Sequence, residues 1–512
     1  MKRLLPILSF FILLFSIPSL SKAAELKDYS NKVNVSVYKS ASLTLKLNNV
    51  YQLTNNQTGT ITTIPPNTTI SVKNNGTNID VSYSGMTLTS ASGFKVQELS
   101  ALKKLVIFLQ DTQMRKGASS SYQVIYTFTQ GSNADYLDSF TNAANETWYK
   151  VSNGTFTGWI PSQSVTLIDS TTSTTSIGAL SNGLSYRGSF NLTNNGSDVE
   201  VSNYLEMEDY LKGVVPSEMP ASWSKEALKA QAIAARSYAA TSMGLTSTPS
   251  SQVYRGFTGE DARTNEAVKE TEGLMAKFAG RPIMTFFYST SGGQTANYAD
   301  VWGGSGKEYY TSVSDPYENS PYSSWSETFS AASILKSFGY TDSLTKLFDI
   351  TLKKTGANGE VTGVTVKTSA GDKTIEGNES KIRKLFAIND ASHYNQINSN
   401  WFTMTVLKGQ SELGLTVQTI DGTEPLSTLK GQVVQTASGQ VTLADSNVDV
   451  QTADGVITSD SSAAKITSVT LHGKGWGHRI GMSQYGAKGM AEHGWDAKKI
   501  IEYYFQGTTV SR

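Results

Sequence analysis

The sequence predicts an α+β fold that is β-rich, with a central alanine-rich helix, helices at the C-terminal end and two small, mainly β inserts. Three observations predict it. Short runs alternating between apolar and polar residues, with Asn and Gly between them, fill Asn31 to about Glu98. One long stretch, Ser224 to about Met243, places Leu228, Ala232, Ala235 and Ala239 at helical spacing. The segment from His472 to Phe505 is glycine-rich and then helical.

Residues 1–24 read as an export signal: Lys2 and Arg3 precede an apolar run from Leu4 to Leu20, and Ser21-Lys22-Ala23 offers small residues for cleavage. An uncleaved anchor helix is the competing reading, because the run approaches the length that spans a bilayer. In residues 25–103, Val33, Val35 and Val37 alternate, as do Leu43, Leu45 and Leu47, and Asn74-Asn75-Gly76 marks a hairpin turn. Residues 104–170 have a different texture and read as a small separate module. It has a strand from Leu105 to Leu109, a tyrosine-rich strand near Tyr122 to Phe128, a helical-looking Asp135 to Ala144, and Trp148 through Ile160. The Ser/Thr run Ser170 to Ser176 is a linker. The main body is expected over 178–405, with strands around Asn194-Asn195-Gly196 and β texture from Asp349 to Glu376, turning at Asn358-Gly359 and Ala370-Gly371. Ser224 is placed to cap the alanine helix and Glu226 to complement its positive first turn. Residues 406–467 read as a β-rich insert, and 468–512 return to the main body.

Composition removes several classes of function. Lys plus Arg and Asp plus Glu both number 43, with no basic run, so the clustered cations that nucleic acid requires are missing. No cysteine is present, which excludes disulfides, thiolate zinc sites, iron–sulfur clusters and cysteine nucleophiles. An exported chain without cysteine suits a route with no disulfide machinery, as in a Gram-positive bacterium.

Three segments could carry chemistry. In the first, Glu218 stands between Pro216 and Pro220, and pre-proline restriction at Met219 puts the carboxylate on a stiffened loop before the alanine helix. Rigid placement suits a catalytic acid; complementing the helix N-terminus or pairing with a surface base is the blander alternative. In the second, the apolar strand Phe286-Phe287-Tyr288 ends in Ser289-Thr290-Ser291-Gly292-Gly293-Gln294. Hydroxyls and backbone can there approach a polar ligand closely, with Ser289 and Gln294 as candidates, and a tight turn is the simpler reading. The third runs from His472 to Ala487. Its glycines miss the spacing of a dinucleotide loop, and His472, His478 and His493 raise a metal site but lack the i, i+4 pairing of a zincin. An uncharged surface of His478, Gln484 and Tyr485 for a hydroxyl-rich ligand fits better, so neither metal nor cofactor is expected.

Taken together and in order, these segments resemble the stage II sporulation protein D / LytB amidase-enhancer family of bacterial cell-wall proteins. The resemblance is carried by Tyr186-Arg187-Gly188, Asp209-Tyr210-Leu211, Val214-Val215-Pro216-Ser217-Glu218-Met219-Pro220, Glu226 through Ala239, and Gln252-Val253-Tyr254. It continues in Gly292-Gly293-Gln294-Thr295, Val301-Trp302, Gly475-Trp476-Gly477-His478 and Gly481 through Ala487. Trp148 to Ile160 is faintly similar to bacterial SH3-like wall-binding modules.

The resemblance implies peptidoglycan glycan strands as partner. Sporulation members of the family are lytic transglycosylases that cut between N-acetylmuramic acid and N-acetylglucosamine and close an anhydro ring, and their catalytic glutamate matches Glu218. Ordinary glycosidases need two carboxylates; here the sugar's own C6 hydroxyl replaces water, so one suffices. It must start protonated near neutral pH, which asks for a partly desolvated pocket. By the same resemblance Arg236 lies near the site, with pairing to Asp209 as its structural alternative, while His478, Ser483, Gln484 and Tyr485 line the glycan groove. Some members hold zinc with cysteines and histidines around the segment that here reads Tyr288 to Gly293, and this chain is expected to lack that site. The LytB branch implies the alternative function, a non-catalytic wall-binding enhancer of an amidase. The expected location is secreted, extracellular or wall-associated.

Overall fold

The computed structural model describes residues 31–99, 104–169, 175–409 and 465–512, together with 416–419, 422–425, 431, 433–436, 438–444, 447–452 and 455–460. The expected export signal and most of the Ser/Thr linker lie outside the described residues. The fold is α+β and β-rich. It divides into two compact units, one reaching to Glu218 and including Met243–Asn265, the other comprising Met219–Ser242 and Glu266–Arg512.

The first unit contains two packed antiparallel sheets. One has seven strands in the order Leu245–Thr246, Lys32–Ser40, Asp198–Glu206, Ser189–Asn195, Phe94–Glu98, Tyr51–Asn55 and Ile61–Ile64; only its edge pair, Leu245–Thr246 with Lys32–Ser40, is parallel. The other has six, in the order Ser185–Arg187, Ile177–Leu180, Ser42–Leu47, Thr68–Asn75, Asn78–Tyr83 and Met86–Ser90. Strand alternation does what the sequence predicts. Val33, Val35, Val37, Leu43, Leu45 and Leu47 are all buried while their neighbours along the chain are not. Both Asn-Gly turns close hairpins, Asn75 opposite Asn78 and Asn195 opposite Asp198.

Residues 104–169 form their own seven-stranded sheet over a core of Val106, Phe108, Met114, Phe128, Ala134, Val151, Ile160 and Val165. The helical reading of Asp135 to Ala144 is corrected here. Asn133–Thr141 is a strand, paired with Lys104–Phe108 on one side and Thr147–Ser152 on the other. Pairing on both edges outweighs the local helical texture, and Tyr136, Phe140 and Thr141 suit a pleated surface. Asn142 then closes the turn, its Oδ1 accepting from the amides of Ala144 and Glu146, both at 3.0 Å.

In the second unit the alanine helix, Lys225–Thr241, is central as expected. Ala227, Ala230, Ala232, Ile233, Ala234 and Ala235 are fully buried, because small side chains let the helices Gln484–Glu492 and Ala497–Tyr504 and the strand Met275–Phe278 pack closely around it. Ser224 makes no side-chain cap. Instead Glu226 accepts from the amide of Ala497 at 2.8 Å and pairs with Lys229. A further core joins the sheet Ser324–Ser330, Ile466–Lys474 and Phe402–Lys408 to the sheet Leu347–Thr355, Glu360–Thr368 and Lys373–Glu376, around Val361, Val364, Val366, Ile382 and Leu471. The described parts of 406–467 pair as three hairpins beyond Phe402–Lys408.

Candidate functional site

Glu218 is carried by the first unit. It ends the helix Met207–Glu218 rather than standing on a loop, so the sequence expectation is corrected. Pro216 lies in the last helical turn, where its missing N–H removes only the bond to Lys212, and the helix survives it. Gly213 sets the approach to this helix: a Cβ there would come within 2.6 Å of the Tyr254 ring and 2.8 Å of the Gly256 carbonyl. Gln252-Val253-Tyr254 therefore docks along the helix. Tyr210 donates its hydroxyl to Gln252 Oε1 at 2.9 Å, and the amide of Val253 donates to Glu218 Oε1 at 2.7 Å. An N–H donor serves the carbonyl oxygen of a protonated acid as well as a carboxylate, so this contact aims the group in either state. Glu218 is half-buried. Asp209, the residue that the sequence offered to Arg236, pairs with Lys212 at 2.6 Å.

The other seven expected residues belong to the second unit. Phe287–Tyr288 and Met482–Ser483 pair in parallel, which brings Ser289 to the start of the helix Gln484–Glu492, where Tyr485 donates its amide to the Ser289 carbonyl at 3.0 Å. Ser483 caps this helix, accepting from Gly486 at 3.1 Å, and its hydroxyl donates to Glu318 Oε2 at 2.8 Å. Ser483 is fully buried and Gln484 nearly so, reaching Gln231 of the alanine helix at 3.5 Å; both hold the scaffold. Ser289, Gln294 and Tyr485 keep partial exposure, with Tyr485 edge-on to Trp223 at 4.9 Å.

Arg236 is sealed from solvent and donates to the carbonyls of Ala232, Leu274 and Val268. These bonds tie the alanine helix to the backbone at Val268 and Leu274. His478 packs among Phe286, Tyr288 and Trp302. Burial pushes its pKa down to about 4, so it is neutral at physiological pH, and its Nδ1 accepts from the Ile480 amide at 3.1 Å. The glycines of this segment serve backbone packing. Gly475, at φ 76°, lies where a Cβ would meet the carbonyls of Thr290 and Ser291 at 2.7 and 2.8 Å.

Sequence reasoning missed the buried and half-buried charges here. Glu318 accepts from the amides of Ser291 and Gly292 at 2.5 and 2.8 Å as well as from Ser483, and so ties the Ser-Gly-Gly turn to the helix cap. Beside it Asp315, 2% exposed, accepts from the Ser291 hydroxyl at 3.0 Å; burial, then the Glu318 charge, push its pKa up to about 7. Arg479, at φ 64° and fully buried, donates to Glu360, Ser291 and Gln294 and stacks on Trp401 at 4.0 Å. Around Tyr288 to Gly293 the nearby donors include the Tyr288 and Ser291 hydroxyls and the Asp315 and Glu318 carboxylates, a hard-oxygen set that does not suit a thiolate zinc site. His472 lies between Ser326 and Thr405, and His493 contacts the Gly489 carbonyl. Among the described residues no three His, Asp or Glu side chains converge as a metal site. An open cavity of about 400 Å³ is lined by Phe278, Ala279, Arg281, Pro282, Ile283 and Tyr309, none of them an expected site residue.

Comparison with known proteins identifies what the chain is similar to. Residues 195–278, which span Glu218, Arg236 and Val253, match the family model described as stage II sporulation protein, and residues 111–166 match that of the bacterial SH3 domain. The chain is thus similar, over a stage II sporulation protein domain, to proteins of the stage II sporulation protein D / LytB kind. It is 30% identical over 324 residues to the amidase enhancer of Bacillus subtilis, covering 59% of this chain and 40% of that protein. It is 27% identical over 334 residues to stage II sporulation protein D of the same organism, covering 60% and 75%. An uncharacterized protein of Brachyspira hyodysenteriae is 28% identical over 339 residues, covering 64% and 73%.

Proposed function

We propose that the chain is a secreted peptidoglycan lytic transglycosylase with Glu218 as its one general acid/base. Residues 1–24 direct export, the 104–170 module tethers the protein to the wall, and 178–405 with 468–512 form the glycan-acting body. The observation that carries this reading is the orientation of the Glu218 carboxyl by the Val253 amide on a helix end braced by Tyr210 and Gln252. Protonated Glu218 gives its proton to the glycosidic oxygen as the bond to C1 of N-acetylmuramic acid breaks. The carboxylate left behind takes the proton of the C6 hydroxyl, whose oxygen attacks C1 and closes the anhydro ring, so the acid is regenerated with no water consumed. Tyr485, Ser289 and Gln294 offer an uncharged surface of ring, hydroxyl and amide suited to the hydroxyl and acetamido groups of a glycan.

A second reading is favoured by one finding, that the relative matched at 30% identity is named an amidase enhancer. In that reading the chain binds glycan and stimulates a cell-wall amidase without cutting. Incubating purified walls with the chain, with Glu218→Gln and with each plus an amidase separates the two. Glycan fragments released by the unsubstituted chain alone support the enzyme. Amidase stimulation that survives Glu218→Gln, with no fragments from either chain, supports the enhancer.

A further inference from the structure

The fourth histidine, His393, has no part in the site described above, and its surroundings are those of a binding site. It closes the short 3₁₀ turn Ala391–His393, and the next two residues, Tyr394 and Asn395, both adopt left-handed backbone at φ 55° and 54°. Two successive non-glycine residues in that region persist only where the surroundings over-determine them. The turn lays the His393 ring on Trp476, with centroids 4.8 Å apart and planes at 26°, and Tyr322 meets the same indole edge-on at 4.4 Å. The ledge is continuous with the hydroxyl segment of the site. Thr290 and Trp476 exchange both backbone hydrogen bonds, Thr290 Oγ1 lies 2.8 Å from Ser320 Oγ, and that same Ser320 oxygen accepts from the Tyr322 amide.

The polar heads of the ledge are left for a ligand. His393 Nδ1 lies 2.8 Å from Asp390 Oδ2. Ser392 and then His393 hold the Asp390 pKa down to about 2, so its ionised carboxylate only accepts and the Nδ1 hydrogen points to it. Nε2 is then left to meet a ligand hydroxyl, which can donate or accept. Among the described residues, His393 Nε2, Trp476 Nε1 and the Tyr322 hydroxyl make no hydrogen bond to protein. All three rings are half-buried, and Tyr394 beside them is 57% exposed.

We propose that His393, Trp476 and Tyr322, held by Asp390, form an additional saccharide subsite that takes one pyranose ring of the glycan strand. The proposal rests on the peptidoglycan reading above. A pyranose offers an apolar C–H face to aromatic rings and hydroxyls to an imidazole, an indole N–H and a phenol. The Asp390 carboxylate disfavours free carboxylates, those of a stem peptide and the lactyl group of a stripped N-acetylmuramic acid alike, so the occupant is the uncharged N-acetylglucosamine ring.

The test uses the full chain carrying Glu218→Gln, which keeps the substrate uncut, with glycan strands stripped of stem peptides as the probe. His393→Ala is expected to weaken binding about tenfold, the loss of roughly one hydrogen bond and one ring contact, with the melting temperature unchanged. His393→Gln, which retains a hydrogen-bonding group, recovers part of that loss. Because the chain has four histidines, the His393 imidazole resonances are assignable by substitution, and the Nε2 signal is expected to shift on adding strands. Binding that is indifferent to His393→Ala, with no Nε2 shift, overturns the subsite and leaves the peptidoglycan reading standing. An effect confined to strands that keep their stem peptides also overturns it, in favour of a peptide occupant. Failure of the Glu218→Gln chain to bind any strand overturns both readings.

Discussion

The amide of Val253 donates to the carboxyl of Glu218 across 2.7 Å, joining two segments 35 residues apart in the chain. The contact exists because Gly213 lets Tyr254 and Gly256 lie against the helix that ends in Glu218. Gly213→Ala is therefore expected to push that segment away, costing about 1–3 kcal/mol by overpacking. If Glu218 is the catalytic acid, its misplacement lowers the rate by about a hundredfold. Calorimetry alongside a glycan-cleavage assay checks this; a Gly213→Ala chain with unchanged rate would separate the contact from catalysis.

Asp315 makes stability depend on pH in a defined direction. Its pKa rises from 3.8 in the unfolded chain to about 7 when folded, so the folded state holds a proton that the unfolded state has released. The Asp315 contribution is full below about pH 4, declines between about 4 and 7, and is level above that. The slope is at most about 1.4 kcal/mol per pH unit. Melting curves of the unsubstituted chain and Asp315→Asn across this window should converge toward low pH, with the asparagine chain the more stable near pH 7.

The Arg479–Glu360 pair is fully buried on both sides, 3.1 Å apart. Arg479→Ala leaves Glu360 charged and unpaired, and a loss of about 3–5 kcal/mol is expected in the unit that contains it. The double change Arg479→Met with Glu360→Leu should recover much of that. Scanning calorimetry of the three chains measures both effects.

His478 stays neutral through the range in which an ordinary histidine titrates, because burial holds its pKa near 4. Proton NMR of the imidazoles from pH 5 to 8 should show His478 static. A titration near 6.5 at His478 would contradict the packing described for it.

Much of the fold was legible because it rests on local pattern. Val33 to Leu47 alternate, the Asn-Gly turns close hairpins, and the alanines of 225–241 mark a helix crowded by neighbours. The misreadings have non-local causes. Asn133–Thr141 is a strand because partners on both edges claim it, and Glu218 ends a helix because Pro216 falls where a missing N–H costs little. Glu218, Ser289 and Tyr485 were singled out because they sit in recognisable segments, and the structure leaves each partly exposed. Asp315, Glu318 and Arg479 were not, since their partners lie 24 to 188 residues away and no spacing announces them. Ser483 and Gln484 carry the helix cap and the contact to Gln231, roles that a motif alone does not distinguish from ligand binding.

The measurement that bears most directly on the central claim is mass spectrometry of peptide-free glycan strands after incubation with the unsubstituted chain and with Glu218→Gln. The account predicts anhydro-ended fragments from the unsubstituted chain, none from Glu218→Gln, and equal binding of strands by both. Intact strands in both reactions, with binding preserved, would contradict it and leave a glycan-binding enhancer.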